Sequence, residues 1–281
     1  MLDRGLVLEG GGLRGQYTAG VLDAFLDASL RFPYLIGVSA GSSIGCSFVS
    51  EQRGRNLEII ERFRNDKRYL SWGNFLRTGC LFGMDFIYGE IPHRLVPFDF
   101  RTFEMSPTRF ITVCTDCVKG EAVYYDKDGE NLTVLKASAS LPYLSRPVAF
   151  DNRWLLDGAI TDAIPLKKAI AEGYARNVVV LTRPAGYRKT EEAALAPNLF
   201  YRPWPRLIEA LKTRVRRYNE QLQFVEAEEA ASRAFVIRPS RDLGISRTEK
   251  DVAKLRALYE LGLSDGAAAA AVLAAEAERS G

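Results

Sequence analysis

Tyr34-Leu35-Ile36-Gly37-Val38-Ser39-Ala40-Gly41 is an apolar run that ends in a glycine–x–serine–x–glycine turn. The run predicts a buried strand that stops abruptly and turns into a helix beginning near Ala40. Such a corner forces the residue at its apex into a strained backbone conformation, and small neighbours, here Gly37 and Gly41, keep the flanking chain from clashing. Ser39 is thereby lifted out of the sheet, with the helix N-terminal N–H groups facing the space where negative charge would develop. Ser42 and Ser43 lie one helical turn deeper, away from the corner. An ordinary strand–turn–helix with small residues satisfies the same five-residue pattern.

The chain's single histidine bears on that choice. A serine hydrolase of the usual α/β type takes its triad in the order serine, acid, histidine. His93 precedes the later acidic candidates, and no histidine follows them. Either Ser39 is not a nucleophile, or a group other than imidazole takes its proton. Asp157 is the candidate base. Arg153-Trp154-Leu155-Leu156 reads as a strand that Asp157-Gly158-Ala159 ends in a turn. Asp-Gly is also a common turn dipeptide. A carboxylate bonded directly to the serine can act as base if burial raises its proton affinity.

Upstream, Leu6-Val7-Leu8-Glu9 reads as a short buried strand. It leads into Gly10-Gly11-Gly12-Leu13-Arg14-Gly15, then into a helix with Tyr17, Val21, Leu22, Phe25 and Leu26 on one face. Triple glycine allows close approach of a ligand to several backbone N–H groups. Gly10, Gly12 and Gly15 formally match a dinucleotide fingerprint, which would make the protein an oxidoreductase. That reading wants an acidic residue at the end of the second strand, and none lies between Asp27 and Glu51. The loop makes better sense as an oxyanion hole around Gly11, Gly12 and Leu13, with Arg14 fixing the loop.

In this order the three motifs resemble the patatin-like phospholipases: a G-G-G-x-R/K-G loop at Gly10–Gly15, a G-x-S-x-G elbow at Gly37–Gly41, and a D-G-G/A turn at Asp157–Ala159. Ala137-Ser138-Ala139-Ser140-Leu141-Pro142 resembles the family's small-residue helix end, with Ser140 in place of its second alanine. The resemblance covers about the first two-thirds of the chain. It implies a three-layer α/β/α fold with a mainly parallel sheet, and a Ser39–Asp157 dyad acting on acyl esters of lipids through an acyl-enzyme. The expected activity is that of a carboxylic ester hydrolase of phospholipase A or lysophospholipase type. Glu9 stands where many members have aspartate. A catalytically silent lipid- or protein-binding scaffold of the same fold is the rival reading.

Composition fits. A chain of 281 residues, 47% hydrophobic, can bury a full α/β core. We expect an acyl-hydrolase domain over residues 5–172 and a helix-rich extension over 173–281 packed on the same core. A net charge of +3 does not point to nucleic acid. Cys46, Cys80, Cys114 and Cys117 form no paired framework, which suggests a reducing cytoplasm. Cys114 and Cys117 fall in the strand-like run Phe110–Val118, where their spacing puts the thiols on opposite faces. No metal or organic cofactor is expected, and Asp126-Lys127-Asp128-Gly129 reads as a turn rather than a calcium loop. No segment reads as a signal peptide or reaches the ~20 apolar residues of a membrane span. Contact with membrane would be peripheral, at the inner face.

Asn56–Tyr69 reads as a helix. Between Ser71 and Phe103 the pattern breaks into aromatics and glycines, which suit an acyl pocket, its lid, or core beneath a long insertion. Strands are expected at Val123–Tyr125, Asn177–Thr182 and Ala234–Ile237, and helices at Pro165–Gly173, Thr248–Leu261 and Asp265–Arg279. Arg183–Trp204 reads as a connector. After it, Ile208, Leu211, Val215, Tyr218, Leu222 and Val225 line one helix face, with a basic outer face over residues 202–217. Such a helix either packs on the sheet, the reading we favour, or binds anionic lipid.

Overall fold

The computed structural model describes residues 2–127, 132–190 and 197–280. Along the chain run β1 (Gly5–Leu8), α1 (Gln16–Asp27), β2 (Tyr34–Val38), α2 (Ala40–Val49), α3 (Arg55–Phe63), α4 (Trp72–Thr78) and α5 (Phe100–Met105). They are followed by β3 (Arg109–Asp116), β4 (Glu121–Asp126), α6 (Leu132–Ser138), β5 (Val148–Phe150), β6 (Arg153–Asp157) and α7 (Leu166–Ala171). The last elements are β7 (Asn177–Val180), α8 (Pro197–Phe200), α9 (Pro205–Ala230), β8 (Ala234–Ile237) and α10 (Val252–Ser280).

Five strands pair in parallel in the order β8-β7-β1-β2-β3. β4 returns antiparallel along β3 from Ile111 to Asp116. β6 also pairs antiparallel with β3, at Cys114–Asp116. Because a strand has two edges and β4 occupies one, β2 and β6 share the other. β2 holds it as far as Val113, opposite Val38, and β6 takes over at Cys114, opposite Asp157. β5 completes a hairpin with β6 through Asp151-Asn152, both with left-handed φ, a tight turn that asparagine and aspartate tolerate.

Alternation along the buried strands supplies both faces. Leu6, Leu8, Leu35 and Phe110 pack under α1, α2 and α10, whereas Val7, Ile36, Ile111 and Val179 pack under α7 and α9. The result is the expected three-layer arrangement with a mixed, largely parallel sheet. Residues beyond 172 add β7, β8, α9 and α10 to the same sheet and its two helical layers. The apolar stripe of α9, with Tyr218, Leu222 and Val225, is buried against the sheet, so it is not available to enter a membrane.

Several expectations need correction. The helix read over Asn56–Tyr69 ends at Phe63, followed by turns. β3 ends at Asp116, so Cys117 lies beyond the strand. The two thiols nevertheless sit in different clusters, Cys114 with Val134 and Leu155, Cys117 with Leu156 and Leu207. Asp128 and Gly129 of the expected turn, and residues 191–196 of the connector, lie outside the described residues.

The C-terminal pair of helices is one, α10. Gly262 and Gly266 do not break it, because they lie where α10 crosses α1 almost backbone to backbone. A Cβ on Gly262 would stand 2.1 Å from Tyr17 O, and one on Gly20 would stand 2.0 Å from Tyr259 O. By length and composition α10 is also apolar enough to cross a membrane, contrary to expectation. Its Leu255, Leu258, Tyr259 and Leu273 are instead buried in the core. Overpacking of this kind costs about 1–3 kcal/mol. Gly262→Ala is therefore expected to lower the urea midpoint by a corresponding amount with unchanged slope, and a wild-type midpoint would show that the crossing is looser than described.

Candidate active site

Ser39 sits between β2 and α2 with φ 54° and ψ −120°, a conformation costly for a residue with a side chain. The surroundings hold it there. A Cβ on Gly37 would lie 2.7 Å from Ser42 N, and one on Gly41 2.7 Å from Leu8 O, so the first turn of α2 presses onto the strand ends as only glycine permits. The Ser39 N–H donates to Ser138 Oγ at 2.8 Å, and that hydroxyl donates to Val113 O at 2.6 Å. Ser138, at the end of α6, thus ties the corner to β3. Its motif was visible in the sequence, but its partners were not, because they lie on distant elements.

Asp157 faces this corner through the shared edge of β3. The Ser39 hydroxyl donates to Asp157 Oδ2 at 2.8 Å, and Oδ1 accepts from Ala159 N–H at 2.8 Å. The Asp157 N–H donates to Ser140 O at 2.9 Å. Both side chains are buried. Burial pushes the Asp157 carboxyl up to about 6. The bonds from Ala159 and Ser39 pull the other way, as do the more distant charges of Arg247 and Lys189. A carboxylate so placed can take a proton from the serine near neutral pH.

The glycine loop abuts the same corner. A Cβ on Gly10 would lie 3.2 Å from Ser39 Cβ, and Gly12 has a left-handed φ of 57° that favours glycine. Leu13 through Gly15 continue as a 3₁₀ turn into α1. The set of donors is smaller than expected. Leu13 N–H donates to Arg247 O at 3.1 Å and Arg14 N–H to Gly11 O at 3.3 Å, so Leu13 is corrected out of the set. Among the described residues, no acceptor pairs with the N–H of Gly11 or Gly12. Arg14 is half-buried outside the cavity wall, and burial, then the neighbouring Arg183, lowers its guanidinium to about 10. Glu9 accepts from Thr182 N–H at 2.5 Å, Thr182 Oγ1 at 2.9 Å and Tyr218 OH at 2.6 Å. The carboxylate thus ties β1 to the end of β7 and to α9.

Ser39 opens onto a cavity of ≈150 Å³ walled by Leu13, Ile44, Ile60, Tyr69, Met84 and Leu135 among others. The broken stretch from Ser71 to Phe103 contributes Phe82, Met84, Ile87 and Tyr88 to it, while Phe86 and Phe103 are core. Phe86–Leu95 forms a π-helical stretch, a conformation without a sequence period of its own. His93 is exposed there, stacked on Phe100 with ring centroids 5.2 Å apart and unconnected to Ser39 or Asp157. Among the described residues, no group of three or more His, Cys, Asp or Glu is arranged to hold a metal.

Residues 6–170 match the patatin-like phospholipases, and the chain belongs to that family. Residues 204–275 match a domain of unknown function, DUF6363. The chain is similar to the uncharacterized protein YjjU of Escherichia coli K12, at 29% identity over 92% of this chain and 74% of that one. It is similar to lysophospholipase nte1 of Aspergillus niger, at 28% identity over 56% of this chain but 10% of that protein. A probable lipid hydrolase, 463L of Invertebrate iridescent virus 6, is 29% identical over 59% of this chain and 62% of the viral protein. Among solved structures, VipD from Legionella pneumophila aligns with a TM-score of 0.48 at 14% identity, covering 96% of this chain and 67% of that one.

Two outcomes are expected from this geometry. With the Asp157 carboxyl raised to about 6, its proton-accepting form is lost as pH falls through that value, so kcat/KM for an ester should decline below about pH 6. Lys189→Met removes a charge that favours the carboxylate and should move the limb upward. A limb unmoved by Lys189→Met and lying near pH 4 would contradict the burial described. Ser138→Ala leaves the Ser39 N–H without its acceptor, and should lower stability by about 1–3 kcal/mol and reduce kcat more than it raises KM.

Proposed function

We propose that this protein is a serine acyl hydrolase that cleaves fatty-acyl esters of lipids, with phospholipid as the leading substrate class. Ser39 attacks the ester carbonyl while Asp157 accepts its proton. Asp157 then returns that proton to the departing alcohol, leaving an acyl-serine. Water follows the same path: Asp157 takes its proton as the water oxygen attacks the acyl carbonyl, then passes that proton to Ser39 Oγ as the acyl–serine bond breaks and the fatty acid leaves. The N–H groups of Gly11 and Gly12 hold the oxyanion in both steps, and the apolar cavity takes the acyl chain. The observation that carries this reading is the 2.8 Å bond between the Ser39 hydroxyl, strained at its corner, and a buried aspartate. Family membership and the lipid hydrolases among the relatives support the substrate class.

The rival, a silent scaffold of the same fold, would bind lipid or protein without cleaving an ester. A fluorophosphonate probe separates the two, since only an activated serine acquires covalent mass, expected on Ser39. Ser39→Ala should abolish labelling and esterase activity while the protein stays folded. Asp157→Asn keeps the size of the side chain but cannot take the proton, so its loss should approach that of Ser39→Ala. Because groups acting as a unit are non-additive, the double variant should be scarcely worse than either single one. His93→Gln should stay within a few-fold of wild type. Activity in Asp157→Asn together with a dead His93→Gln would falsify the dyad. Because backbone N–H groups supply the electrostatics in this mechanism, turnover should also persist in excess chelator. Loss that calcium restores would overturn the oxyanion assignment.

A further inference from the structure

α4 turns large apolar side chains outward. Trp72 is 67% exposed and Leu76 87% exposed, one helical turn apart on one face, with the Phe75 ring edge-on to Trp72 at 5.7 Å. A second exposed apolar group lies at α8, where Leu199 is 79% and Phe200 52% exposed. The segment 141–146 joins the two. Leu144 O accepts from Leu81 N–H at 2.7 Å, just beyond α4, and the Arg146 N–H donates to Cys80 Sγ at 3.4 Å. On the other side, the Tyr143 ring stands edge-on to Phe200 at 5.5 Å, and its N–H donates to Tyr201 OH at 2.7 Å. Tyr143 is held at a left-handed φ of 66°, strain that an aromatic residue adopts only where its surroundings impose it. Beneath this face the aromatic contacts continue through the buried Tyr201 and the partly buried Trp204 to Trp154, itself 48% exposed. All three tryptophans of the chain therefore lie along it.

Its charge is mainly basic. The stretches Leu70–Met84, Ala139–Val148 and Leu199–Ile208 contain no aspartate or glutamate, but carry Arg77, Arg146, Arg202 and Arg206, all exposed. Asp85 and Glu90 lie at the border, in the groove that Arg77 and Arg146 also line. Amphipathic aromatic rings, protruding aliphatic side chains and arginines in excess of acids together match the boundary of an anionic bilayer, where rings sit at headgroup depth. A soluble protein partner would be expected to present matching acids. It would not account for the face sharing its two supporting segments with the acyl cavity. Phe82 and Met84 after α4, and Ala139 and Leu141 before Tyr143, line the cavity beside Ser39.

We infer that α4, the 141–146 strap and α8 form one face that docks on an anionic lipid surface, setting the acyl cavity beside the layer from which its substrate is drawn. This deepens the proposed function. The surface shares only Arg202 and Arg206 with the basic segment that the sequence singled out, and the apolar stripe of α9 itself is buried in the core. Trp72 and Leu76 enter the interface, and Arg77 and Arg146 meet the headgroups.

The test measures binding without turnover, on the Ser39→Ala protein, so that its outcome does not depend on the catalytic reading. Co-sedimentation is compared for vesicles of phosphatidylcholine alone and of phosphatidylcholine with an equal part of phosphatidylglycerol. We expect preferential binding to the anionic vesicles, weakened by salt, with a blue shift of tryptophan emission. Trp72→Ser with Leu76→Ser should lower the partition constant about tenfold or more, and Leu199→Ser with Phe200→Ser should lower it in the same direction. Arg77→Gln with Arg146→Gln should remove the anionic preference, while Arg216→Gln on the outer face of α9 should leave it intact. Thermal midpoints equal to the parent's establish that each variant is folded. Binding unchanged in the folded Trp72→Ser, Leu76→Ser variant would overturn the inference. So would self-association in analytical ultracentrifugation that this variant abolishes, which would assign the face to a second copy of the chain.

Discussion

One edge of β3 is divided between two strands, β2 as far as Val113 and β6 from Cys114 onward, and the geometry of the candidate site follows from that division. β2 must leave the sheet where β6 begins, so its next residue, Ser39, is forced into a turn. β6 arrives from the opposite direction, so its last residue, Asp157, ends facing that turn. Residues 118 positions apart are thereby brought within one hydrogen bond without any loop having to reach across the sheet. Ser138 braces the junction, accepting from the Ser39 backbone and donating to Val113, the residue at which the edge changes hands.

The junction is also electrostatically uneven. Asp157 and Glu9 are both buried carboxylates near the carboxyl ends of the strands, but their partners differ. Glu9 accepts from three donors that hold β1, β7 and α9 together. Asp157 accepts from one backbone N–H and one serine hydroxyl, with cationic side chains only at longer range, and its burial goes less fully compensated. An under-solvated carboxylate is the stronger proton acceptor. A single imidazole is not needed to explain how a serine could be activated here, and His93 lies elsewhere on the surface.

The C-terminal third is bound into this core rather than appended to it. β7 and β8 extend the sheet beyond β1, α9 closes one face, and α10 lies on α1 at a separation that only glycines allow. Arg247, from the segment before α10, reaches back to take the Leu13 N–H through its carbonyl. The conformation of the glycine loop therefore depends on residues far outside its own motif, and the number of N–H groups left free in the loop is set there.

The residue order by itself determined the family, the strand–turn–helix corner at Ser39, the glycine loop and the Asp157 turn, because each depends on local backbone requirements written in contiguous residues. It also determined the alternating buried strands and the apolar stripe of α9, which are periodic. Features without a period or a local signal were settled only by tertiary packing. Phe86–Leu95 has no pattern that announces a π-helix. The single helix α10 reads as two, parted over residues 262–264, until Gly262 and Gly266 are seen where α10 presses on α1. Leu13 looks like an oxyanion donor until Arg247 O is found on its N–H. Trp72 and Leu76 read as acyl pocket, lid or core, and only the folded chain shows them exposed. In each case the deciding partner is distant in sequence, and contacts of that kind leave no mark on the residues that flank them.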